Sequence, residues 1–386
     1  MARAALAAGA LALAAAAAAQ GAGAPCRAAA PEWPLWSRYV RAFVSEDGRV
    51  IDRTARDRTT SEGQAYALFF SLVADDPGLF QRLLRWTADN LAGGKLPERL
   101  PAWAWGQRRD GGWGILDPNS ASDADLWMAY ALLEAGRLWA EPRYDALGRG
   151  LLARIAEREV ARLPALGPTL LPGPRGFALD RGRGWRLNPS YLPPQLLRRA
   201  AAAAPRGPWR AVLASALRLV PESAPRGVVP DWALYRPGAG LLADPVKGRT
   251  GSYDAIRAYL WIGLLPPGDP DRRALATATA GLLRILAERG ALPERVDAGS
   301  LRGQGAAPPG FYAALLPLAA TERPALRPEL EARLASALRD GLYGTPPAYY
   351  DQNLALFGQG FAEGRYAFDA EGRLAPAWGW PCAGPR

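Results

Sequence analysis

The stretch that decides the fold is SEGQAYALFFSLV, residues 61–73, which opens with polar residues and then presents apolar side chains on every face. A helix that is apolar all round has to be enclosed by other elements, because none of its faces suits water. The same pattern returns at residues 128–135, 255–265 and 311–320. The sequence therefore predicts several helices buried inside a helical domain.

Helices are predicted along most of the chain. Apolar residues recur with a period of about 3.6, no convincing alternating strand pattern interrupts them, and Pro and Gly mark starts and stops. The predicted helices are Glu32–Val44, Ser61–Ala74, Pro77–Leu91, Ser122–Ala140, Arg143–Leu163, Ser190–Ala203, Pro208–Leu219, Ser252–Leu265, Pro270–Arg289, Gly310–Ala320, Arg327–Leu342 and Ala348–Ala362.

These twelve helices alternate in character. The odd-numbered ones are amphipathic with Arg and Glu faces, whereas the even-numbered ones are apolar nearly all round. Six outer and six inner helices describe an all-α fold, the (α/α)6 barrel. The inner-helix N-termini of such a barrel emerge on one face, where we expect the long loops to form a cleft.

Three of the inner helices begin with an acid, namely Glu62, Asp125 and Asp254. Burying an ionised carboxylate is expensive unless the group is paired or used in chemistry. Each acid could also be a simple helix-start residue that favours the helix dipole, which is our interpretation of Asp123. Three acid-led inner helices on one face nevertheless point to carboxylate chemistry.

The composition excludes several other mechanisms. The chain has no histidine and two cysteines at its opposite ends, so it offers no Ser-His or Cys-His nucleophile and no metal-ligand cluster. We expect neither a metal nor a cofactor. The net charge of +10 comes almost entirely from scattered Arg, with Lys only at Lys95 and Lys247, and no basic stripe indicates nucleic-acid binding.

The N-terminus is typical of an export signal. Arg3 precedes an Ala/Leu-rich run that is too short and too Ala-rich for a membrane span. We predict a signal peptide at residues 1–24, with cleavage after Ala19 or Ala24, and a single catalytic domain at residues 25–386 without stable membrane insertion. Export permits disulfides, so we expect Cys26 and Cys382 to be bonded rather than free.

The loops that lead to the predicted cleft are long and rich in tryptophan. They carry Trp103, Trp105, Trp113, Trp185 and Trp232, any one of which could equally be a core residue. Aromatic faces suit the apolar faces of sugars, and amides and hydroxyls suit their polar edges. The remaining substrate-binding candidates are Ser122, Tyr191 and Asn188, although Asn188 could simply cap a helix.

Acids and aromatics together match glycoside hydrolysis, which needs one protonated and one ionised carboxyl group. Inverting enzymes hold these groups about 6.5–9.5 Å apart, and retaining enzymes about 5–5.5 Å. Opposite walls of a cleft suit the inverting case. A helix N-terminus favours the ionised form of a carboxyl group, whereas a general acid has to keep its proton. We therefore expect a neighbouring anion, Asp125, to raise the pKa of Glu62.

The chain also resembles glycoside hydrolase family 8, and most closely its periplasmic branch that is encoded with bacterial cellulose synthase. The similarity extends over nearly the whole predicted mature chain. Its motifs are Gly48-Arg49-Val50-Ile51-Asp52, Thr59 to Tyr66, Leu100 to Trp103, Ala121-Ser122-Asp123-Ala124-Asp125 with Met128, Ala129, Ala135 and Trp139, Asn188 to Pro194, Ser252 to Arg257, and Leu356 to Gly360.

This resemblance implies an (α/α)6 barrel that cleaves β-1,4-glucans with inversion and without a metal. It implies that Glu62 is the general acid and Asp254 the general base. Asp125 would contact the distorted sugar, a residue also labelled the nucleophile, and inversion favours Asp254 as the base. Tyr253 and Arg257 match site residues that flank the base.

The expected function is thus a periplasmic endo-β-1,4-glucanase that acts on cellulose chains during cellulose biosynthesis. Association with the synthase and export machinery is a further expectation. The alternatives are a chitosanase, xylanase or lichenase of the same family, or a non-catalytic glucan-binding component of an export complex. A polysaccharide lyase of the same fold would be expected to use His or Tyr as its base.

Overall fold

The computed structural model describes residues 30–379, so the predicted signal peptide, Cys26 and Cys382 lie outside the described residues. Thirteen α-helices are present in this range. They are α1 Pro34–Phe43, α2 Ser61–Val73, α3 Pro77–Leu91, α4 Ser122–Leu138, α5 Pro142–Arg158, α6 Pro194–Ala203, α7 Trp209–Ser223, α8 Ala255–Gly263, α9 Arg272–Ala278, α10 Gly281–Arg289, α11 Pro309–Glu322, α12 Arg327–Ala337 and α13 Tyr349–Ala362.

Six of these helices close into an inner ring. In order around the ring they are α2, α4, α6, α8, α11 and α13, and α13 packs back against α2. An outer helix covers each one: α3 lies on α2, α5 on α4, α7 on α6, α9 on α8, α12 on α11 and α1 on α13. This arrangement confirms the all-α, (α/α)6 barrel that the alternation of apolar and amphipathic helices predicts.

Aromatic side chains fill the centre of the barrel. Trp127 packs against Phe69, Trp261 and Phe357, with ring centroids 5.0, 5.1 and 4.9 Å away. Each fully buried side chain of this kind contributes roughly 1.5–3 kcal/mol. Where α11 and α13 cross, Gly358 is required, because a Cβ there would lie 1.9 Å from the carbonyl oxygen of Ala313.

Short antiparallel strands lie at the ends of the barrel, and none is longer than five residues in the described range. They are β1 Thr59–Thr60, β2 Ala104–Gln107, β3 Trp113–Asp117, β4 Val160–Leu163, β5 Gly167–Leu170, β6 Ala178–Leu179, β7 Gly184–Leu187, β8 Ala233–Arg236, β9 Gly240–Ala243, β10 Thr250–Gly251, β11 Arg295–Asp297, β12 Gly303–Gln304, β13 Leu338–Arg339, β14 Leu342–Tyr343, β15 Tyr366–Phe368 and β16 Leu374–Pro376. The β1-β2-β3 and β6-β7-β8-β9 sheets carry the loop tryptophans.

Several predicted helix boundaries were wrong. The helix predicted at residues 270–289 is two helices, because Gly281 donates its backbone N–H to Gly227 and a Cβ there would lie 2.6 Å from the Gly227 carbonyl carbon. The helices predicted to end at Leu163 and Leu342 end at Arg158 and Ala337, where hairpins begin. Helix α6 begins at Pro194 rather than at Ser190, because prolines are tolerated only in the first turn of a helix.

A helix has to be both long and apolar to cross a bilayer. None of the helices within residues 30–379 is both long enough and apolar enough to cross a bilayer.

Candidate active site

The N-termini of four inner helices meet around one buried arginine, Arg257, in the first turn of α8. Its Nη2 lies 2.9 Å from Asp254 Oδ1, 3.1 Å from Ser190 Oγ and 3.4 Å from Asp123 Oδ2. Its Nη1 donates to the hydroxyl of Tyr350 at 3.2 Å. Residues from the starts of α4, α8 and α13 and from the turn before α6 are therefore joined at one point, as the barrel predicts.

Glu62, the predicted general acid, is the second residue of α2. Thr60 Oγ1 caps this helix by accepting the N–H of Gly63 at 3.3 Å, so the carboxyl group of Glu62 is not needed as a cap. Glu62 Oε1 accepts the indole N–H of Trp103 at 3.2 Å. Its buried Oε2 has no hydrogen-bond partner among the described residues.

The environment of Glu62 favours its protonated form. Burial raises its pKa, and the negative charge of Asp254 adds to this, whereas its backbone N–H, the Arg257 guanidinium and the Trp103 indole oppose it. The net direction is upward. Desolvation, rather than a neighbouring anion, is the main cause, and the anion that adds to it is Asp254 instead of the expected Asp125.

Asp254, the predicted general base, precedes α8 directly. Its Oδ1 pairs with Arg257 and its Oδ2 accepts the indole N–H of Trp232 at 3.1 Å. Its side chain is 30% exposed, in contrast to the fully buried Asp125. Asp254 makes no cap for its own helix, so both of its oxygens face the site rather than the helix backbone.

A second acid takes over that capping role. Asp231 Oδ1 accepts the N–H groups of Ser252 and Ala255 at 2.7 and 2.9 Å, and its Oδ2 accepts the Ser252 hydroxyl at 2.5 Å. Burial and the charge of Asp254 raise the pKa of Asp231. Asp231 therefore fixes the Ser252–Ala255 turn and with it the position of Asp254.

Two acids of α4 separate sharply, although they are only two residues apart. Asp123 is buried and contacts Arg257, and burial together with the charge of Glu62 raises its pKa. Asp125 is fully buried beside Glu159 and Ser120, and burial followed by the Glu159 charge raises its pKa. The structure thus brings Asp123, rather than Asp125, to Glu62 and Asp254.

The correction has a simple geometric cause. Successive residues of an α-helix turn by about 100°, so positions i and i+2 lie on nearly opposite faces. Once Asp123 faces Arg257, Asp125 has to face α5, where Glu159 ends the helix. The structure therefore does not support its predicted contact with the sugar, and the α4 acid at Arg257 is Asp123, which the sequence suggests is a helix-dipole residue.

The loop tryptophans also divide into groups. Trp103 reaches Glu62. Trp105 and Trp113 stack on each other at 5.3 Å, with the guanidinium of Arg49 4.5 and 4.8 Å from their centroids. No contact joins this pair to the acids within residues 30–379. Trp185 is only 7% exposed and packs beside Tyr235, and its place in the cleft stays a prediction.

The remaining candidates surround the Arg257 cluster. Tyr191 lies with its ring centroid 5.6 Å from the Arg257 guanidinium, and Asn188 accepts the N–H and hydroxyl of Ser190. Asn188 is thus a cap, the alternative that its sequence position left open. Tyr253 is 42% exposed at the rim, and Ser122 is fully buried, with its backbone N–H bonded to Pro172.

Besides Asp123, the site contains further residues that were not among the predicted ones. Trp232 was noted only as a loop tryptophan, yet it stacks on Phe177 at 5.8 Å and binds Asp254. Asp231 stands in a Pro-Asp-Trp turn without a helical pattern, so nothing in the sequence connects it to Asp254. Tyr350 stands in the polar start of α13, and this pattern was the available signal.

One face of the helical barrel holds two acids in unequal surroundings, Glu62 with a raised pKa and Asp254 paired with a guanidinium, and aromatic rings lie beside them. These features define an acid–base hydrolase of sugar polymers. Comparison with known proteins supports this class. The family model for Glycosyl hydrolases family 8 matches residues 7–364. This chain belongs to glycosyl hydrolase family 8 and is a glycoside hydrolase.

Individual relatives agree with the family match. The chain is 50% identical over 354 residues to an endoglucanase of Xanthomonas axonopodis pv. citri (strain 306), covering 91% of each chain. It is 43% identical over 356 residues to an endoglucanase of Escherichia coli (strain K12), covering 92% of this chain and 94% of the relative. The crystal structure of endo-1,4-D-glucanase from Vibrio fischeri ES114 superposes with a TM-score of 0.83 at 40% identity, covering 90% and 99% of the two chains.

Proposed function

We propose that this protein is an endo-β-1,4-glucanase that hydrolyses cellulose-type glucans with inversion, using Glu62 as general acid and Asp254 as general base. The observation that carries the proposal is the unequal environment of these two carboxyl groups within one site. Relatives named endoglucanase at 43% and 50% identity support the substrate class.

Glu62 supplies the proton. Its raised pKa favours the protonated form, and its Oε2, which has no protein partner among the described residues, is the atom that donates to the glycosidic oxygen. The Trp103 indole remains bonded to Oε1. After proton transfer, that indole and Arg257 stabilise the carboxylate that has formed.

Asp254 activates the water. The Arg257 ion pair and the Trp232 hydrogen bond hold its two oxygens in place, and its partial exposure allows a water to reach it. The water attacks the anomeric carbon from the face opposite the departing oxygen, so a β-linkage yields an α-product. We further propose that Asp123, beside Arg257, accepts hydroxyl hydrogen bonds from the sugar at the cleavage point.

The proposed location is the periplasm, with cellulose chains in biosynthesis as the substrate. The sequence of residues 1–24 supports export.

The two ends of the described chain support the proposed Cys26–Cys382 bond. Arg365 donates to the Glu32 carbonyl at 2.8 Å and accepts the N–H of Ala377 at its own carbonyl. In the sequence, Cys26 stands six residues before Glu32 and Cys382 five residues after Ala377. Labelling two free thiols in periplasmic material would reject this bond.

Viscometry on carboxymethyl cellulose tests the activity, because internal cleavage lowers viscosity long before many reducing ends appear. Proton NMR of early product tests the mechanism, and we expect the α-anomer. Activity on chitosan, xylan or mixed-linkage glucan without activity on cellulose derivatives would move the protein to a sister specificity. Biological function that survives Glu62→Gln would instead indicate a non-catalytic glucan-binding role.

A further inference from the structure

A second depression opens beside Glu62. It has a volume of about 840 Å³ and shares Trp103 with the active site, so it continues the cleft between the loop at residues 54–58 and the β2–β3 hairpin. Its charged lining is one-sided, with four guanidinium groups and a single carboxylate. These are Arg56, Arg58, Arg108, Arg109 and Asp117. We name this region the arginine cleft.

Two of these four guanidinium groups are unpaired within the described residues. Arg56 and Arg109 have no ion pair or hydrogen bond to any residue in the range 30–379. Arg108 pairs only with Asp110, across 3.4 Å at the exposed hairpin tip. Arg58 lies 3.5 Å from Asp52, and its buried Nε has no partner among the described residues.

The backbone holds this arrangement in a disfavoured conformation. Arg56 and Asp57 have φ values of 54° and 53°, in the left-handed region that side chains other than Gly rarely adopt. Such conformations persist where the surrounding structure imposes them, and they cluster at ligand-binding sites. The loop thus presents Arg56 at the mouth of the arginine cleft.

A neutral glucan gives no reason for this charge. Sugar hydroxyls do not compensate the desolvation of several guanidinium groups, whereas carboxylates and phosphates match the guanidinium fork directly. The cavity at Trp232, on the Asp254 side, is charge-balanced, since Glu222 and Arg249 are its only charged lining residues in the described chain. Of the two cavities that border the indoles bound to Glu62 and Asp254, only the one at Trp103 has a positive excess.

We infer that the arginine cleft binds glucan segments that carry anionic substituents, carboxylate or phosphate, on their hydroxyl groups. The inference rests on the proposed glucanase activity and adds a substrate preference to it. Arg56 and Arg109 determine this preference, since their charges are unpaired, and they take no part in bond cleavage.

The test compares carboxymethyl cellulose with hydroxyethyl cellulose of the same chain length and degree of substitution. At about 10 mM salt, where the Debye length is near 30 Å, we expect kcat/KM to favour the anionic polymer. The double variant Arg56→Gln/Arg109→Gln should lose roughly two- to tenfold of that preference, with activity on hydroxyethyl cellulose unchanged. Salt of about 0.5 M should narrow the difference in the wild type.

The matched control is Arg206→Gln/Arg210→Gln. It removes the same charge from exposed residues at the start of α7, outside the arginine cleft. An equal loss in the control would mean that the whole protein's charge causes the preference, and would overturn the inference. A wild type without preference for the anionic polymer would overturn it as well.

Retardation in native gels that contain either polymer separates this inference from the proposed function. Glu62→Gln removes catalysis, so its mobility reports binding alone. Stronger retardation by carboxymethyl cellulose that depends on Arg56 and Arg109 supports the arginine cleft even in a protein without hydrolytic activity. Equal retardation by both polymers rejects it, even if viscometry shows an active glucanase.

Discussion

The two walls of the active site carry the same kind of group in different surroundings. Each carboxyl group accepts one indole N–H, Glu62 from Trp103 at 3.2 Å and Asp254 from Trp232 at 3.1 Å. Only Asp254 also pairs directly with a guanidinium and remains partly exposed. Within residues 30–379, the Glu62 wall leaves one buried oxygen without a partner. Burial of one group and ion pairing of the other, rather than residue type, thus distinguish the proposed acid from the proposed base.

The most severe way to break this comparison is to remove each carboxyl group in turn. We expect Glu62→Gln and Asp254→Asn each to lower kcat on cellulose derivatives by roughly 10³-fold or more, with oligosaccharide binding retained. Steady-state kinetics and calorimetric titration with cellohexaose measure the two properties.

A substrate with a good leaving group distinguishes the two roles. 2,4-Dinitrophenolate departs without a proton, so 2,4-dinitrophenyl β-cellotrioside should restore most of the rate to Glu62→Gln and little to Asp254→Asn. Restoration of Asp254→Asn instead would exchange the two assignments. Early β-anomer from the wild type would remove Asp254 as the base altogether.

The Asp254 wall extends through Arg257 to Asp123, and the acid pair of α4 tests this extension. Asp123→Asn should reduce kcat by roughly 10²-fold, because the amide replaces a carboxyl group that accepts from Arg257 and, in our proposal, from the sugar. Asp125→Asn, two residues away, should keep most of the activity, because Asp125 lies beside Glu159. If Asp125→Asn were the more damaging of the two in kcat, with both variants equally stable, our placement of the site on α4 would be wrong.

The barrel itself was predictable because its signal is distributed over many residues. Apolar helices such as α2 and α4 can satisfy their faces only inside a ring, and this holds whatever the details of the loops. The boundaries that failed depend on single tertiary contacts. The contact between Gly281 and Gly227 divides one predicted helix into α9 and α10, and no local sequence pattern predicts that contact.

The site was predictable only where the sequence motif and the helix start coincide. Glu62 and Asp254 satisfy that condition. Asp123 and Asp125 both stand in the first turn of α4, and the choice between them depends on the rotation of the helix within the ring. Trp185 lies in β7, and Trp232 directly precedes the neighbouring strand β8. The geometry of this sheet decides which of the two faces Asp254.

The indole on the Glu62 wall offers a finer test. Its N–H stabilises the ionised carboxylate and lowers the pKa of Glu62, so Trp103→Phe should raise that pKa further. The alkaline limb of the kcat/KM profile, where the acid loses its proton, should move to higher pH, with a loss of about tenfold in rate. Trp105→Phe is the matched control, since Trp105 packs on Arg49 and Trp113. A shift in both variants, or in neither, would contradict the role of the indole.

The smallest effect concerns the pair behind the Asp254 wall, Asp125 and Glu159. Burial raises the pKa of Glu159 to about 8 from 4.5, and Ser120 donates to its Oε1 at 2.6 Å. The folded protein therefore keeps a proton that the unfolded chain releases above pH 4.5. This group stabilises the fold fully below pH 4.5, and its contribution is lost as the pH rises through 8.

The wild-type Tm should accordingly fall by several degrees, ~5 °C, between pH 5 and pH 8. Glu159→Gln cannot titrate, and it removes the charge that raises the pKa of Asp125, so its Tm should depend on pH about half as strongly or less. The control is Glu157→Gln, an exposed position of α5 that pairs with Arg154 at the surface and should preserve the wild-type slope. Scanning fluorimetry from pH 5 to 8 gives all three slopes. This measurement does not depend on activity, so its result is independent of which α4 acid contacts the sugar. A slope for Glu159→Gln as steep as that of the wild type would show that the proton kept by the folded protein is not on Glu159.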